Sequence, residues 1–186
     1  MRILLHMPLL ALACLYGCQT VVVRDAPQPV RVAEGATVDP TPLVEALLAQ
    51  TGTVVQAVSG AWKENAFAAE VVMKGDGNTF TAVFLAPHMR LATITLSRPH
   101  SIRYERAPQI PRMFEPEYAL VDLALANLET AALRRAAVGL RIEDDGATRR
   151  VFADKEQVAE LTRRPDGDSF FRNLLHGYEY TLHPVR

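Results

Sequence analysis

The clearest order in the chain is an alternation of apolar and polar positions between residues 53 and 106. Five runs, TVVQAVSG (53–60), AFAAEVVMK (66–74), NTFTAVFLA (78–86), RLATITLS (90–97) and SIRYER (101–106), are rich in β-branched and aromatic side chains. Such residues suit a pleated, half-buried surface, so these runs predict strands. Between them stand GAWKEN, GDGN, PHM and RPH, short segments built from turn-forming residues. Loops this short leave no room for crossover helices and predict an antiparallel meander. The period of two also sorts the faces: Phe80, Ala82 and Phe84 share one, as do Ala92, Ile94 and Leu96, with Leu91, Thr93 and Thr95 opposite. Neither strand has a strongly polar face. The sheet is therefore expected to be covered on one side and only partly wetted on the other.

Beyond the proline-rich stretch APQIPRMFEPE the period changes. In YALVDLALANLETAALRRA (118–136), Leu120, Leu123, Ala124 and Leu128 fall at helical spacing, and Leu133 and Ala137 continue after a break between Asn127 and Thr130. Two short helices packed across the sheet are predicted. Strands then return at LRIE (140–143), TRRVFAD (148–154) and QVAELTR (157–163), around the turns DDGA and PDGD, with a last strand within FRNLLHGYEYTLHP (171–184). Upstream, LVEALLAQ after Pro42 predicts one more short helix, with Thr41 as N-cap, Pro42 at its first position and Gly52 past its end. This order predicts an α+β fold: a strongly curved antiparallel β-sheet, open as a half-barrel and lidded by short helices.

The two ends of the apolar pattern set the organisation. Arg2 followed by the apolar run Ile3 to Ala13, too short to span a bilayer, reads as an export signal over residues 1–17. Leu15, Tyr16, Gly17 and Cys18 resemble the bacterial lipobox, which implies cleavage before Cys18 and acylation of its thiol. The alternative is an ordinary signal peptide that leaves Cys18 as an incidental thiol. Cleavage before Cys18 removes Cys14 and leaves a single cysteine, so no internal disulfide can form. Residues 18–42 carry Pro27, Pro29, Pro40 and Pro42 without a helical period and are expected to be a flexible tether. Residues 43–186 are expected to form one domain, a length of roughly 140 residues that buries about two thirds of its unfolded surface.

Charge changes the picture mainly by exclusion. Without residues 1–17 the chain holds 19 basic against 21 acidic side chains, a net charge of about −2 with neutral histidines. Nucleic-acid binding needs a basic face, and the basic residues are instead interleaved with acids, as Arg149-Arg150 are with Asp144-Asp145. Candidate chemistry is sparse. There is no G-x-S-x-G elbow and no HExxH, and His88, His100, His176 and His183 stand apart. Glu115 and Glu117 precede or begin a predicted helix, where carboxylates favour the N-terminal dipole. No catalytic set, metal site or cofactor is expected.

The element order, together with EPEYALVDLALANLETAALRRA, LRIEDDGATRRVFAD and RNLLHGYEYTL, resembles the LolA/LolB-like fold of periplasmic lipoprotein carriers and receptors. More narrowly it resembles an uncharacterised family of bacterial outer-membrane lipoproteins related to LolB and often encoded beside aryl polyene biosynthesis genes. The resemblance spans about residues 43–186. It implies an open half-barrel whose apolar cavity is lidded by helices, on a protein anchored through Cys18 to the outer membrane and facing the periplasm. It also places Pro87, His88 and Met89 at a loop that in LolB contacts the membrane through a leucine. A plain hairpin turn is the other reading of these three residues.

An open sheet lidded by helices tends to leave a concave apolar pocket. Candidates to line it are Phe80, Phe84, Ile94 and Leu96 on strands, Met113, Phe114 and Tyr118 before and at the helix start, and Leu120 and Leu123 on the lid; each could equally be core. Trp62 reads as a packing anchor. The expected function is binding of a lipid or an acyl or polyene-lipid group and its delivery to the outer membrane. Partners would be that lipid-linked cargo, the membrane, and a periplasmic carrier or exporter. The alternative is an adaptor lipoprotein with a filled cavity that contacts a protein partner.

Overall fold

The computed structural model describes residues 20–108 and 116–185. Cys18, Met113 and Phe114 therefore lie outside the described residues, as does the side chain of Trp62. The expected strand runs appear with extensions of one or two residues at most ends: β4 (Thr51–Trp62), β5 (Asn65–Asp76), β6 (Thr79–Ala86), β7 (Met89–Ser97) and β8 (Ser101–Arg106). Downstream are α2 (Pro116–Asn127), α3 (Thr130–Ala136), β9 (Ala137–Val138), β10 (Leu140–Asp144), β11 (Thr148–Ala153) and β12 (Glu156–Arg163). The last segment is two strands rather than one, β13 (Ser169–Asn173) and β14 (Tyr178–Pro184). Its turn, Leu174 to Gly177, carries two leucines that mimic a continuing strand. Gly177 supplies the positive φ of 65° that reverses the chain.

The stretch expected as a tether is, from Thr20 onward, part of the fold. It forms β1 (Thr20–Arg24), β2 (Val30–Ala33) and β3 (Ala36–Val38), and Val30, Ala36 and Val38 are buried. Its prolines fall outside those strands, where a missing N–H costs no ladder bond. The first helix, α1 (Pro40–Leu48), starts two residues earlier than expected. Asp39 rather than Thr41 is the N-cap, its carboxylate accepting from the Thr41 N–H at 2.9 Å, and Pro40 takes the first position. The Asp39 N–H is fixed by the Ala136 carbonyl at 2.8 Å, which sets where the helix can begin.

Ten of these strands join β1 at one edge in an open, wholly antiparallel sheet ordered β1-β8-β7-β6-β5-β4-β14-β13-β12-β11-β10. A second, three-stranded sheet is ordered β2-β3-β9. With the three short helices found among the described residues, this is an α+β fold. Helix α1 packs on β5, β6 and β7 and also meets α2 and α3, so the core lies between one face of the large sheet and the helices. Phe80, Ile94, Leu96, Leu43, Leu47 and Leu120 are at most 1% exposed there. Burying a side chain of this size contributes about 1.5–3 kcal/mol. Among the described residues no helix is long and apolar enough to cross a membrane.

Candidate functional site

Helix α2 presents two apolar stripes. Leu120, Ala124 and Leu128, at i, i+4 and i+8, point into the core and are buried. Tyr118, Val121, Asp122 and Leu125 form the adjacent stripe and face a cleft. Across that cleft lie Val38, Leu140, Ile142, Val151 and Val158, from β3 and from the β10 to β12 end of the sheet. Its walls are apolar, and its polar atoms gather at one end, where Asp122, Asn173 and His176 meet. The free space within is about 40 Å³. A few waters fit; a ligand pocket commonly holds roughly 300–1,000 Å³.

Of the cavity residues expected from sequence that are among the described residues, only Tyr118 lines this cleft. Phe80, Ile94, Leu96 and Leu120 are core, Leu123 is 8% exposed and packs with them, and Phe84 is partly buried against the same cluster. The expected residues on strands lie on the β6–β7 half of the covered face, where α1 packs; the cleft lies at the other half, beside α2. Pro87 and His88, of the expected membrane-contact loop, form an exposed two-residue turn before Met89 between β6 and β7, with His88 at φ 67°.

At the polar end of the cleft the Tyr178 hydroxyl donates to the Asp122 carboxylate and accepts from the Asn173 amide at 2.9 Å. Among the described residues no lysine or arginine joins them. Burial pushes the Asp122 carboxyl up to about 7, outweighing the hydrogen bonds from Tyr178 and Asn173 that favour its charged form. Burial, reinforced by the neighbouring Asp122 charge, also raises Tyr178. A row of rings continues from here along the same face. Phe171 stacks on Tyr180 at 4.9 Å, Tyr180 lies 6.4 Å from Tyr178, Tyr178 lies 6.3 Å from His176, and His176 meets Tyr118 edge-on at 5.4 Å. Sequence reasoning missed this cluster. Its one signal was YEYTL, whose tyrosines two apart share a strand face.

A second polar cluster sits where α2 ends. Arg149, 3% exposed, donates to Asp144 at 2.8 Å, to the Leu125 carbonyl and to the Thr130 hydroxyl at 3.3 Å. Asp144 also accepts from the Thr130 hydroxyl at 2.6 Å and from the Arg163 guanidinium at 3.2 Å. Burial alone would raise the Asp144 carboxyl, but Thr130, Arg149, the Gly146 N–H and Arg163 together hold it well below the usual carboxylate range. At the other end of α2, Glu117 in the first turn pairs with Arg24 of β1 at 2.9 Å. The helix is thus fastened at its start by an ion pair and near its end by the hydrogen bond from the Arg149 guanidinium.

On the opposite face of the sheet His183 bridges Ser59 and Asp168, with Nε2 3.2 Å from the Ser59 hydroxyl and Nδ1 2.8 Å from the Asp168 carboxylate. This is the order of a serine–histidine–aspartate relay. Acyl transfer also needs donors aimed at a developing oxyanion. The backbone around Ser59 is committed to ladders with β5 and β14 on either side, through pairs to Ala68 and Thr181. Among the described residues no three His, Cys, Asp or Glu side chains converge for a metal ion.

Residues 53–186 match the model of a family described as "Protein of unknown function (DUF3261)". The chain belongs to this family. The match begins at the third residue of β4, and so includes both polar clusters and the cleft lining apart from Val32, Val38 and Leu43. No curated protein and no solved structure matches the chain.

Proposed function

We propose that the chain is a lipid-anchored outer-membrane lipoprotein, related to LolB and facing the periplasm, that holds an acyl or polyene-lipid group under α2 and aids its delivery to the membrane. The observation that carries this reading is the form of the cleft: apolar walls along its length, with Asp122, Asn173 and His176 at one end. A hydrocarbon chain gains about 0.8 kcal/mol per buried CH₂, and the polar end is placed to meet a headgroup. The free space of about 40 Å³ requires α2 to shift outward before a chain enters.

Mass spectrometry of natively purified protein is the test. Co-purifying lipid, lost in a Val121→Trp variant that fills the cleft, is the expected result. A folded protein that carries no lipid and displaces no apolar fluorescent probe overturns the reading. The small volume favours a second reading, an adaptor lipoprotein whose cleft is filled by its own side chains and which contacts a periplasmic carrier or exporter. Capture of one stoichiometric protein partner by lipid-free protein, unaffected by Val121→Trp, is its signature.

A further inference from the structure

Four large apolar side chains are exposed at one end of the eleven-stranded sheet. Phe67, Met89, Leu174 and Leu175 are 40, 37, 45 and 46% exposed. Register places them together. Tyr178 pairs with Trp62, which sets the β13–β14 turn, with its two leucines, beside the β4–β5 turn. Glu70 pairs with Leu85, which sets Phe67 level with the β6–β7 turn at His88. The aromatic row ends here as well, and Phe67 lies over Gly60, where a Cβ would come within 2.8 Å of its ring. Exposed Lys63, Glu64 and Arg90 stand among these residues.

The chain also enters the sheet at this end. Thr20 pairs with Arg106, and Arg106 pairs with Ala92, close to the Met89 turn. Cys18 is two residues upstream. A fully extended chain advances at most about 3.6 Å per residue, so an acyl anchor on Cys18 holds this end within about 7 Å of its point of attachment. Leu175 and His176 belong both to this rim and to the polar end of the cleft, so the cleft opens where the anchor leads.

We infer that this end of the sheet docks on a lipid bilayer, with Phe67, Leu174 and Leu175 entering the boundary between headgroups and acyl chains and the exposed His176 ring at headgroup level. Apolar tips and amphipathic aromatic rings are the side chains that partition there. The docked orientation turns the cleft mouth toward the bilayer, so cargo leaves the cleft without crossing water. The inference rests on the lipid-anchor reading above.

The test uses the full chain purified from membranes, with Leu175→Cys or Phe67→Cys labelled by the environment-sensitive dye NBD and reconstituted on phosphatidylethanolamine–phosphatidylglycerol vesicles. Asp166→Cys, in the β12–β13 turn at the opposite end, is the control. A blue-shifted emission and loss of iodide quenching are expected at 175 and 67 and not at 166. Leu174→Glu combined with Leu175→Glu returns the probe at 67 to water. Equal quenching at all three positions overturns the inference. Intact mass of the same samples separates the two claims: an acylated chain with water-exposed probes removes the rim and keeps the anchor, whereas an unacylated chain with shielded probes keeps the rim and removes the anchor.

Discussion

The two polar clusters beneath the helices are built from similar parts and balanced in opposite ways. Around Arg149, one carboxylate sits between two guanidiniums and a hydroxyl, and every group meets a partner of suitable charge. Around Asp122, the carboxylate meets a phenol and an amide, with no guanidinium or ammonium among the described residues to offset its charge. The first arrangement depresses an acid, the second raises one. A charge-matched cluster fastens α2 and α3 to β10 and β11. A carboxyl left unmatched in an apolar cleft stores an unfavourable term at neutral pH, which is the pattern found at binding and catalytic sites more than at structural ones.

Removing one partner of a buried ion pair leaves the other uncompensated. Arg149→Met is therefore expected to cost about 3–5 kcal/mol at pH 7, read from urea unfolding. A cost below about 1 kcal/mol would show that the cluster is not structural. Asp144 is depressed in the folded state, so its contribution is present above its unfolded pKa near 4 and is lost as pH falls through the lower folded value. Asp122 runs the other way. Its folded pKa is raised, so the folded state binds the extra proton between about pH 4 and about pH 7, and stability declines as pH rises through that window. At 1.36 kcal/mol per unit, the ceiling on this penalty is on the order of 4 kcal/mol.

Asp122→Asn should consequently stabilise the protein at pH 8 by up to about 4 kcal/mol and leave it unchanged below about pH 4. Stability that is flat from pH 4 to 8 in the parent protein would contradict the burial argument. Tyr178→Phe removes the donor that favours the charged carboxylate. A loss of about 1–3 kcal/mol at pH 8 is expected, with the titration midpoint of Asp122 moved upward in carboxyl NMR. The smallest effect belongs to the opposite face. Ser59→Ala should change stability by less than about 0.5 kcal/mol. Covalent labelling of Ser59 by a fluorophosphonate would instead show an activated nucleophile.

Much of the strand and helix order was legible because alternation and helical spacing are local properties. Phe80 and Ala82, and on the next strand Ile94 and Leu96, were put on a common face from the period of two alone, and that face is the buried one. The break between α2 and α3 was legible at Asn127 to Thr130 for the same reason. The β13–β14 turn was not, since Leu174 and Leu175 satisfy a strand pattern and only Gly177 marks the reversal. Strands β1 to β3 were hidden by flanking prolines, and their existence depends on partners, β8 and β9, that lie far along the chain.

By itself, the sequence determined which residues turn inward on each strand and helix, because side-chain direction follows from backbone period. It also determined that the cavity candidates would be apolar, but not which of them would meet open space. That was decided by tertiary structure. Helix α1 covers the β5 to β7 half of the sheet and fills it, while α2 leaves a cleft over β10 to β12 and brings Asp122 to Tyr178, 56 residues away. Pairing register and helix placement are long-range outcomes of packing, and no local period encodes them.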